Sequence, residues 1–215
     1  MPGQLEMNLE SGNRFAEALR AGRFSFVLEC AGGPSTDDSA ADAARARAQA
    51  LARKAGELDG VVGISVTDRM PVEDVEDPTA QAALYAKHSG KPVVLHLSGK
   101  SSDPERIRRL LSRSQALGLK TMLAMTGDRS IHHPNPGVLG QIPAYVNGYL
   151  DSARMLRIVR AAEGDIYAGG VVNPHKYQPS DLYMQYFKAV RKVHCGADYL
   201  VAQAGWDVRK FQELQ

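Results

Sequence analysis

The segment Lys120-Thr-Met-Leu-Ala-Met-Thr-Gly-Asp-Arg129 decides how the rest of the sequence is interpreted. It is a short apolar run that stops at Thr126-Gly127-Asp128, after an amphipathic helical pattern and before a loop rich in Pro, Gly and His. An apolar run of this length between turn signals is typical of a fully buried strand. A carboxylate just beyond such a strand is hard to explain by packing, and it lies where parallel α/β sheets and barrels carry their functional residues.

Five further segments have the same form and alternate with helical patterns. With the opening segment, the predicted strands are Phe24–Cys30, Gly60–Asp68, Pro92–Ser98, Asp165–Val172 and Asp198–Gln203. The predicted helices are Arg14–Arg20, Ala40–Glu57, Thr79–His88, Pro104–Leu117, Asn147–Ala162, Ser180–His194 and Val208–Gln215. Asp103 before Pro104 is a start signal for the fourth helix, Gly118 is a stop signal, and Ser180 is the expected cap of the sixth.

Strict alternation of buried strands and helices predicts a parallel sheet with right-handed crossovers. Such a sheet either stays open, as in a doubly wound fold, or closes into a (β/α)8 TIM-type barrel. The loop Ala31-Gly32-Gly33-Pro34 does not match the Gly-x-Gly-x-x-Gly of a dinucleotide-binding fold. A barrel usually has eight units in about 250 residues. We therefore expect about six β/α units of a barrel: a lead-in helix in residues 1–23 and one barrel domain in residues 24–215 that lacks the last two units.

Composition disfavours several classes of function. Hydrophobic residues make up 44% and charged residues 23% of the 215 residues, which is ordinary for a globular protein. The net charge of +2, with signs mixed along the chain, gives no basic stripe for nucleic acid. No apolar run reaches membrane-spanning length, and residues 1–10 lack the form of a secretion signal. Cys30 and Cys195 make neither a disulfide framework nor a metal motif, so we expect a cytoplasmic protein.

Polar residues at the predicted strand ends form the candidate site. They are Glu29, Thr67, Asp68, His96, Ser98, Thr126, Gly127, Asp128, Asn173 and Gln203. In a barrel these ends converge on one rim, where a carboxylate has raised odds of a proton-transfer role. A single Asp after a strand is more often a cap. Glu29 lies between apolar neighbours, and function and structure explain it equally well.

In the order and spacing of these motifs, the chain resembles the methylenetetrahydrofolate reductase family across roughly residues 24–215. The segments that carry the resemblance are Phe26–Glu29, Ser65–Asp68, His96–Ser98, Ala116–Gly118, Leu123–Asp128, Leu150–Ser152, Leu156, Asn173-Pro174, Arg191–Val193, Gly196–Asp198, Gln203 and Trp206-Asp207. Each segment is a weak signal alone, and their order along the chain makes the resemblance specific.

The resemblance implies a flavoprotein oxidoreductase of one-carbon metabolism and methionine biosynthesis. Such enzymes pass a hydride from NAD(P)H through FAD to 5,10-methylenetetrahydrofolate, which gives 5-methyltetrahydrofolate. It implies that Glu29, Asp128 and Gln203 are catalytic: Glu29 as the general acid that helps open the imidazolidine ring, Asp128 beside flavin and pterin, and Gln203 on folate and nicotinamide. The implied cofactor-binding residues are Thr67, His96, Gly127, Asp128, Tyr149, Asn173, Arg191 and Lys192.

Arg191 and Lys192 would suit the FAD pyrophosphate, because charge-assisted contacts to phosphate are strong. Basic residues that complement the end of a helix dipole explain the pair about as well. The chain also departs from the family pattern. Gly32-Gly33 stands where many members have two prolines, and Gln185 and Lys188 stand where an acid and an amide are expected.

These departures motivate an alternative function, a flavin-independent barrel that binds folate or one-carbon units, or a partner subunit of a methyltransferase system. A third hypothesis is a metal-dependent enzyme that uses His132, His133 and His175. Adjacent histidines in an extended loop point apart, so we expect no metal site. The expected partners are folate and NAD(P)H, together with a homo-oligomer or a partner chain that completes the barrel.

Overall fold

The structure is a computed structural model that describes residues 12–30, 38–68, 78–99, 102–127 and 150–214, with only the backbone of residues 38–41. The strands in these ranges are β1 Phe26–Cys30, β2 Val61–Val66, β3 Val93–Ser98, β4 Thr121–Met125, β5 Tyr167–Val172 and β6 Tyr199–Ala202. The helices are α1 Arg14–Arg20, α2 Asp38–Glu57, α3 Pro78–Ser89, α4 Pro104–Ala116, α5 Ser152–Ala161, α6 Pro179–His194 and α7 Val208–Gln212.

The strands form one parallel sheet in the order β1-β2-β3-β4-β5-β6, so each strand pairs with the next one in the chain. A doubly wound sheet would reverse this order at a switch point, whereas a barrel keeps it. The sheet curls into a half-barrel with the helices between successive strands. The predicted fold class, a TIM-barrel type with about six β/α units, is confirmed.

Alternation of side chains along each strand separates two cores. The larger core lies between the sheet and the helices and includes Ile64, Leu95, Leu97, Met122 and Leu156. A smaller core lies on the concave face of the sheet, which is the interior of the half-barrel. It consists of Phe15, Ala16, Val94, Leu123, Tyr167 and Tyr199.

Helix α1 fills the concave face at the amino-terminal ends of the strands. Asn13 caps the helix, and its Nδ2 also donates to Thr121 Oγ1 at the start of β4, at 3.0 Å. The Phe15 ring meets the rings of Tyr167 and Tyr199 edge-on, with centroids 6.5 and 5.8 Å apart. Such aromatic pairs add to the burial energy of each ring. This end of the half-barrel is therefore packed with side chains.

An ion pair between exposed Arg160 and buried Asp198 ties α5 to β6 at the same end. Arg160 Nη2 donates to Asp198 Oδ2, and its Nη1 and Nε donate to the carbonyls of Ile166 and Gly196 at 2.8 and 2.7 Å. Gly196 has a φ of 101°, and a Cβ there would lie 2.4 Å from the Arg160 side chain. The Gly196-Ala197-Asp198 motif thus has a structural explanation, because it leaves room for the Arg160 side chain and binds it.

Most predicted helix bounds differ from the structure by a few residues, and three of the differences have a local explanation. Helix α5 begins at Ser152, because the Asp151 side chain caps it by accepting a hydrogen bond from Arg154 N. The predicted start is Asn147, and residues 147–149 lie outside the described ranges. Helix α6 begins at Pro179, ahead of the expected cap Ser180, because proline suits the first helical position. In α4, Ser114 is buried, and Leu117 is 48% exposed because the helix has already ended there.

The two outer strands of the described sheet expose apolar side chains. Phe26 is the first residue of β1 and Phe24 precedes it, whereas Val201 lies on β6 and Trp206 follows it; Trp206 is fully exposed. Completion of the barrel by further units or by a partner chain stays a prediction. Within the described ranges, no helix is both long enough and apolar enough to cross a membrane.

The packing of α1 predicts a large effect of one aromatic substitution. Phe15→Ala removes a ring that is 4% exposed, and we expect it to lower the free energy of unfolding by about 3–5 kcal/mol. The matched control is Phe24→Ala, at a ring that is 86% exposed, with an expected change within about 0.5 kcal/mol. Urea unfolding measures both values. Equal effects of the two substitutions would contradict the role of α1.

Candidate active site

The carboxyl-terminal ends of the strands form a polar rim at the end of the half-barrel opposite α1. In register, Glu29 on β1 pairs with Ser65 on β2. His96 on β3 points to the same concave face, because its ring contacts the Ser65 side chain. Glu29 is exposed, Thr67 is half-buried, and His96 is only 4% exposed. The structure therefore places three predicted site residues on three neighbouring strands.

Ser65 and His96 form a buried pair at this rim. Ser65 Oγ is hydrogen-bonded to His96 Nε2. His96 Nδ1 is buried and has no hydrogen-bond partner among the described residues. Buried polar atoms are nearly always hydrogen-bonded in folded proteins, so a ring nitrogen in this position suits a ligand.

Burial also controls the charge of His96. Removal of the ring from water lowers its pKa below the ordinary value of 6.5, because the charged form loses hydration. The negative charges of Glu29 and Asp68 oppose this shift and do not overcome it. His96 is consequently neutral near pH 7, with one ring nitrogen held by Ser65.

Asp68 belongs to the wall of the rim. Arg106 of α4 binds it through both terminal nitrogens, at 2.9 and 2.7 Å, and Ser98 N donates to it at 3.1 Å. The Asp68 side chain is 1% exposed. This bidentate contact joins the ends of β2 and β3 to α4. Asp68 is therefore a structural residue, whereas Thr67 beside it points to the concave face with Ser65.

The second half of the rim is more open. Gly127 follows β4 with a φ of 80° and is exposed. Asn173 follows β5, and its Oδ1 accepts from His175 N at 3.0 Å, which makes a local turn. Gln203 follows β6; its backbone N donates to Val172 O at 2.8 Å, and its side chain is exposed. Asp128 and Tyr149 lie outside the described residues.

Lys192 and Arg191 lie on different sides of α6. Lys192 Nζ donates to Val171 O near the end of β5, and burial lowers its pKa; Lys188 lowers it further, and Asp151 opposes the shift. Arg191 is exposed on the outer side, where Nη2 lies 3.6 Å from Asp151 Oδ2. Consecutive helical residues do not face the same way. Of the two, Lys192 is the one that contacts the sheet, and its side chain lies on the helix-facing side of β5 beside Gly170.

Ser65 and Arg106 are site residues that the sequence interpretation did not single out. Ser65 precedes Thr67 by two positions, so strand alternation was a sufficient signal for its direction. Arg106 offers no such signal, because its contact with Asp68 spans 38 residues of sequence. The structure turns Arg106 of α4 toward the rim.

The metal hypothesis requires a cluster of ligands. In the described part of the chain, no three His, Cys, Asp or Glu side chains lie close enough together to hold a metal ion. The His175 ring packs edge-on against Phe211 of α7, with centroids 5.0 Å apart. His132 and His133 lie outside the described residues.

Two known structures share this fold at low sequence identity. An uncharacterized protein from Clostridium thermocellum, which binds two copies of 5-methyl-5,6,7,8-tetrahydrofolic acid, matches with a TM-score of 0.64 and 15% identity over 92% of this chain and 61% of its own. A 2,3-dimethylmalate lyase of the PEP mutase/isocitrate lyase superfamily matches with a TM-score of 0.57 and 12% identity over 95% of this chain and 67% of its own. Identities this low show likeness of fold alone.

Sequence comparison is more specific. No curated protein matches the sequence. The sequence model of the methylenetetrahydrofolate reductase family matches residues 16–215, which is nearly the whole chain and contains every predicted site residue. The chain therefore belongs to the methylenetetrahydrofolate reductase family.

Proposed function

We propose that this protein acts in folate-dependent one-carbon metabolism and reduces 5,10-methylenetetrahydrofolate to 5-methyltetrahydrofolate with NAD(P)H and FAD. The observation that carries the proposal is the family match over residues 16–215. The similar protein from Clostridium thermocellum, which binds 5-methyltetrahydrofolic acid, supports a folate ligand. This chain spans 61% of that protein, so the activity and the substrates are proposals for the whole molecule.

We assign the acid of the reaction to Glu29. Opening of the imidazolidine ring requires a proton on the leaving nitrogen, and a carboxyl group within hydrogen-bond reach of that nitrogen can supply it. Glu29 lies on the concave face next to Ser65 and is open to solvent, so a folate ring and a replacement proton both have access to it. Gln203, on the opposite outer strand, is assigned to folate and nicotinamide. Asp128 is assigned to the pterin by the family resemblance.

The rim residues fit a flavin. His96 Nδ1, which has no hydrogen-bond partner in the described part of the chain, would offer a hydrogen bond to a ligand on the concave face, and Gly127 would allow close approach of backbone to a ring. We propose that Thr67, His96, Gly127, Asn173 and Lys192 hold FAD, with Lys192 near its phosphates. Bound FAD would supply hydride transfer between nicotinamide and folate.

Arg191 and Tyr149 complete the proposed FAD contacts by family resemblance. Arg191 requires a reorientation of its side chain from Asp151 to reach the same ligand as Lys192. The neutral state of His96 suits an uncharged contact, because a buried imidazolium would need a partner of opposite charge.

Glu29→Gln tests the proton donor. In the purified protein supplied with FAD, we expect the reduction of methylenetetrahydrofolate to fall by about 10²–10⁴-fold, the usual size of a general acid–base contribution. NAD(P)H oxidation by a quinone needs no ring opening and should continue. The control Glu17→Gln, at an exposed residue of α1, should leave both rates unchanged. Folate reduction at the wild-type rate in Glu29→Gln would remove Glu29 from the mechanism.

The lowered pKa of His96 predicts a pH-dependent stability. Below about pH 6.5 the unfolded chain takes up a proton at this residue and the folded chain does not, so the free energy of unfolding falls as the pH drops. Replacement by His96→Asn should make this fall shallower in urea titrations from about pH 7.5 to 5. His194→Asn, at an exposed histidine, keeps His96 and should keep the wild-type dependence. Identical slopes in the two variants would refute the assignment.

The second candidate function is folate binding without flavin, in a partner subunit of a methyltransferase system. It is favoured by Lys188, which stands where the family has an amide and lowers the pKa of Lys192 by its positive charge. Calorimetry with FAD and with 5-methyltetrahydrofolate separates the two functions. Binding of both ligands supports the reductase, and binding of folate alone supports the second candidate.

A further inference from the structure

An arginine-lined groove of about 430 Å³ lies on the outer face of the helical layer. Arg108 of α4, Arg154 and Arg157 of α5, and Arg191 of α6 line it. Its other lining residues are apolar: Ile158, Ala161 and Ala162. The groove therefore combines guanidinium groups from three helices with an apolar strip along α5.

Two of the groove arginines, Arg154 and Arg157, are turned outward by the way α5 packs on the sheet. Met155, Leu156 and Val159 are buried against the sheet, so positions 154 and 157, one turn apart, share the opposite face. Arg106 and Arg160 show the contrasting case, since each binds a buried carboxylate that joins secondary-structure elements. Arg106 and Arg160 thus have a structural partner, whereas Arg108 and Arg157 bind no buried carboxylate among the described residues.

The carboxylates beside the groove bind its arginines loosely. Glu105 lies 3.4 Å from Arg108, and both side chains are more than 60% exposed. Asp151 lies 3.6 Å from Arg191. Exposed pairs of this kind contribute at most about 1 kcal/mol, and they exchange readily for other carboxylates. The groove is a region of concentrated positive charge in a protein whose net charge is only +2.

We propose that this groove docks an acidic segment of a partner protein. Carboxylates of the segment would bind the guanidinium groups, which match carboxylate geometry, and its apolar side chains would cover Ile158 and the two alanines. A small inorganic anion would use the charge and leave the apolar strip exposed, whereas an acidic peptide with an apolar face uses both. Arginine is also enriched at protein interfaces. The groove lies on the helical layer, so a docked partner leaves the strand ends of the rim open, and of the four groove arginines only Arg191 is also a proposed FAD contact.

The test is fluorescence anisotropy with a labelled helical peptide that carries Glu on one face and Leu on the other. We expect the wild-type protein to bind it and Arg108→Glu/Arg157→Glu to lose affinity by about tenfold or more, because two attractive charge pairs become repulsive. The control Arg45→Glu/Arg47→Glu makes the same charge change at exposed residues of α2 and should keep wild-type affinity. Added salt should weaken binding.

Equal loss of affinity in the groove and control variants would overturn the proposal, and so would equal binding of a peptide with Gln in place of Glu. Displacement of the peptide by inorganic pyrophosphate at equal concentration would also overturn it, because it would indicate a small-anion site. Circular dichroism checks the fold of each variant. If the double Glu variant unfolds, Arg108→Gln/Arg157→Gln replaces it and should still weaken peptide binding relative to wild type.

Discussion

The packing of Phe15 against Tyr167 and Tyr199 is the interaction on which the rest of the structure depends. It fills the half-barrel at the amino-terminal ends of the strands, and the Tyr199 hydroxyl donates to Met122 O at 2.8 Å within that apolar layer. Gly169 makes room for the Tyr199 ring, since a Cβ there would lie 2.4 Å from it. Among the described residues, the amino-terminal end of the concave face is consequently filled, and the polar strand ends lie at the opposite, carboxyl-terminal end.

Two ion pairs with buried carboxylates distinguish structural polar residues from those assigned to chemistry. Arg160 with Asp198 and Arg106 with Asp68 join helices to strand ends, one pair at each end of the sheet. Such pairs contribute little net stability, and their loss leaves a buried charge unpaired. Asp68 and Asp198 are explained in this way. The polar side chains on the concave face that are assigned to chemistry are those of Glu29, His96, Thr67 and Gln203.

The strand order could be predicted from the sequence, because alternation of buried strands and helices constrains a parallel sheet strongly. Long-range contacts could not: no local pattern pairs Arg106 with Asp68 or turns the Ser65 hydroxyl to His96. Arg191 and Lys192 show a further limit. They are neighbours in sequence and were expected on one phosphate, yet the helix directs Lys192 to the sheet and Arg191 to the outer groove. Asp128 and Tyr149 stay predictions from the resemblance.

The central claim is that the carboxyl-terminal rim of this half-barrel is a folate site. A crystal structure of the protein with 5-methyltetrahydrofolate tests it most directly, because the position of the ligand needs no assumption about flavin or turnover. The account predicts the pterin on the concave face at the rim, in contact with Gln203 and within reach of Glu29. Folate bound at the amino-terminal end of the strands or in the outer arginine groove, with the rim empty, would contradict it.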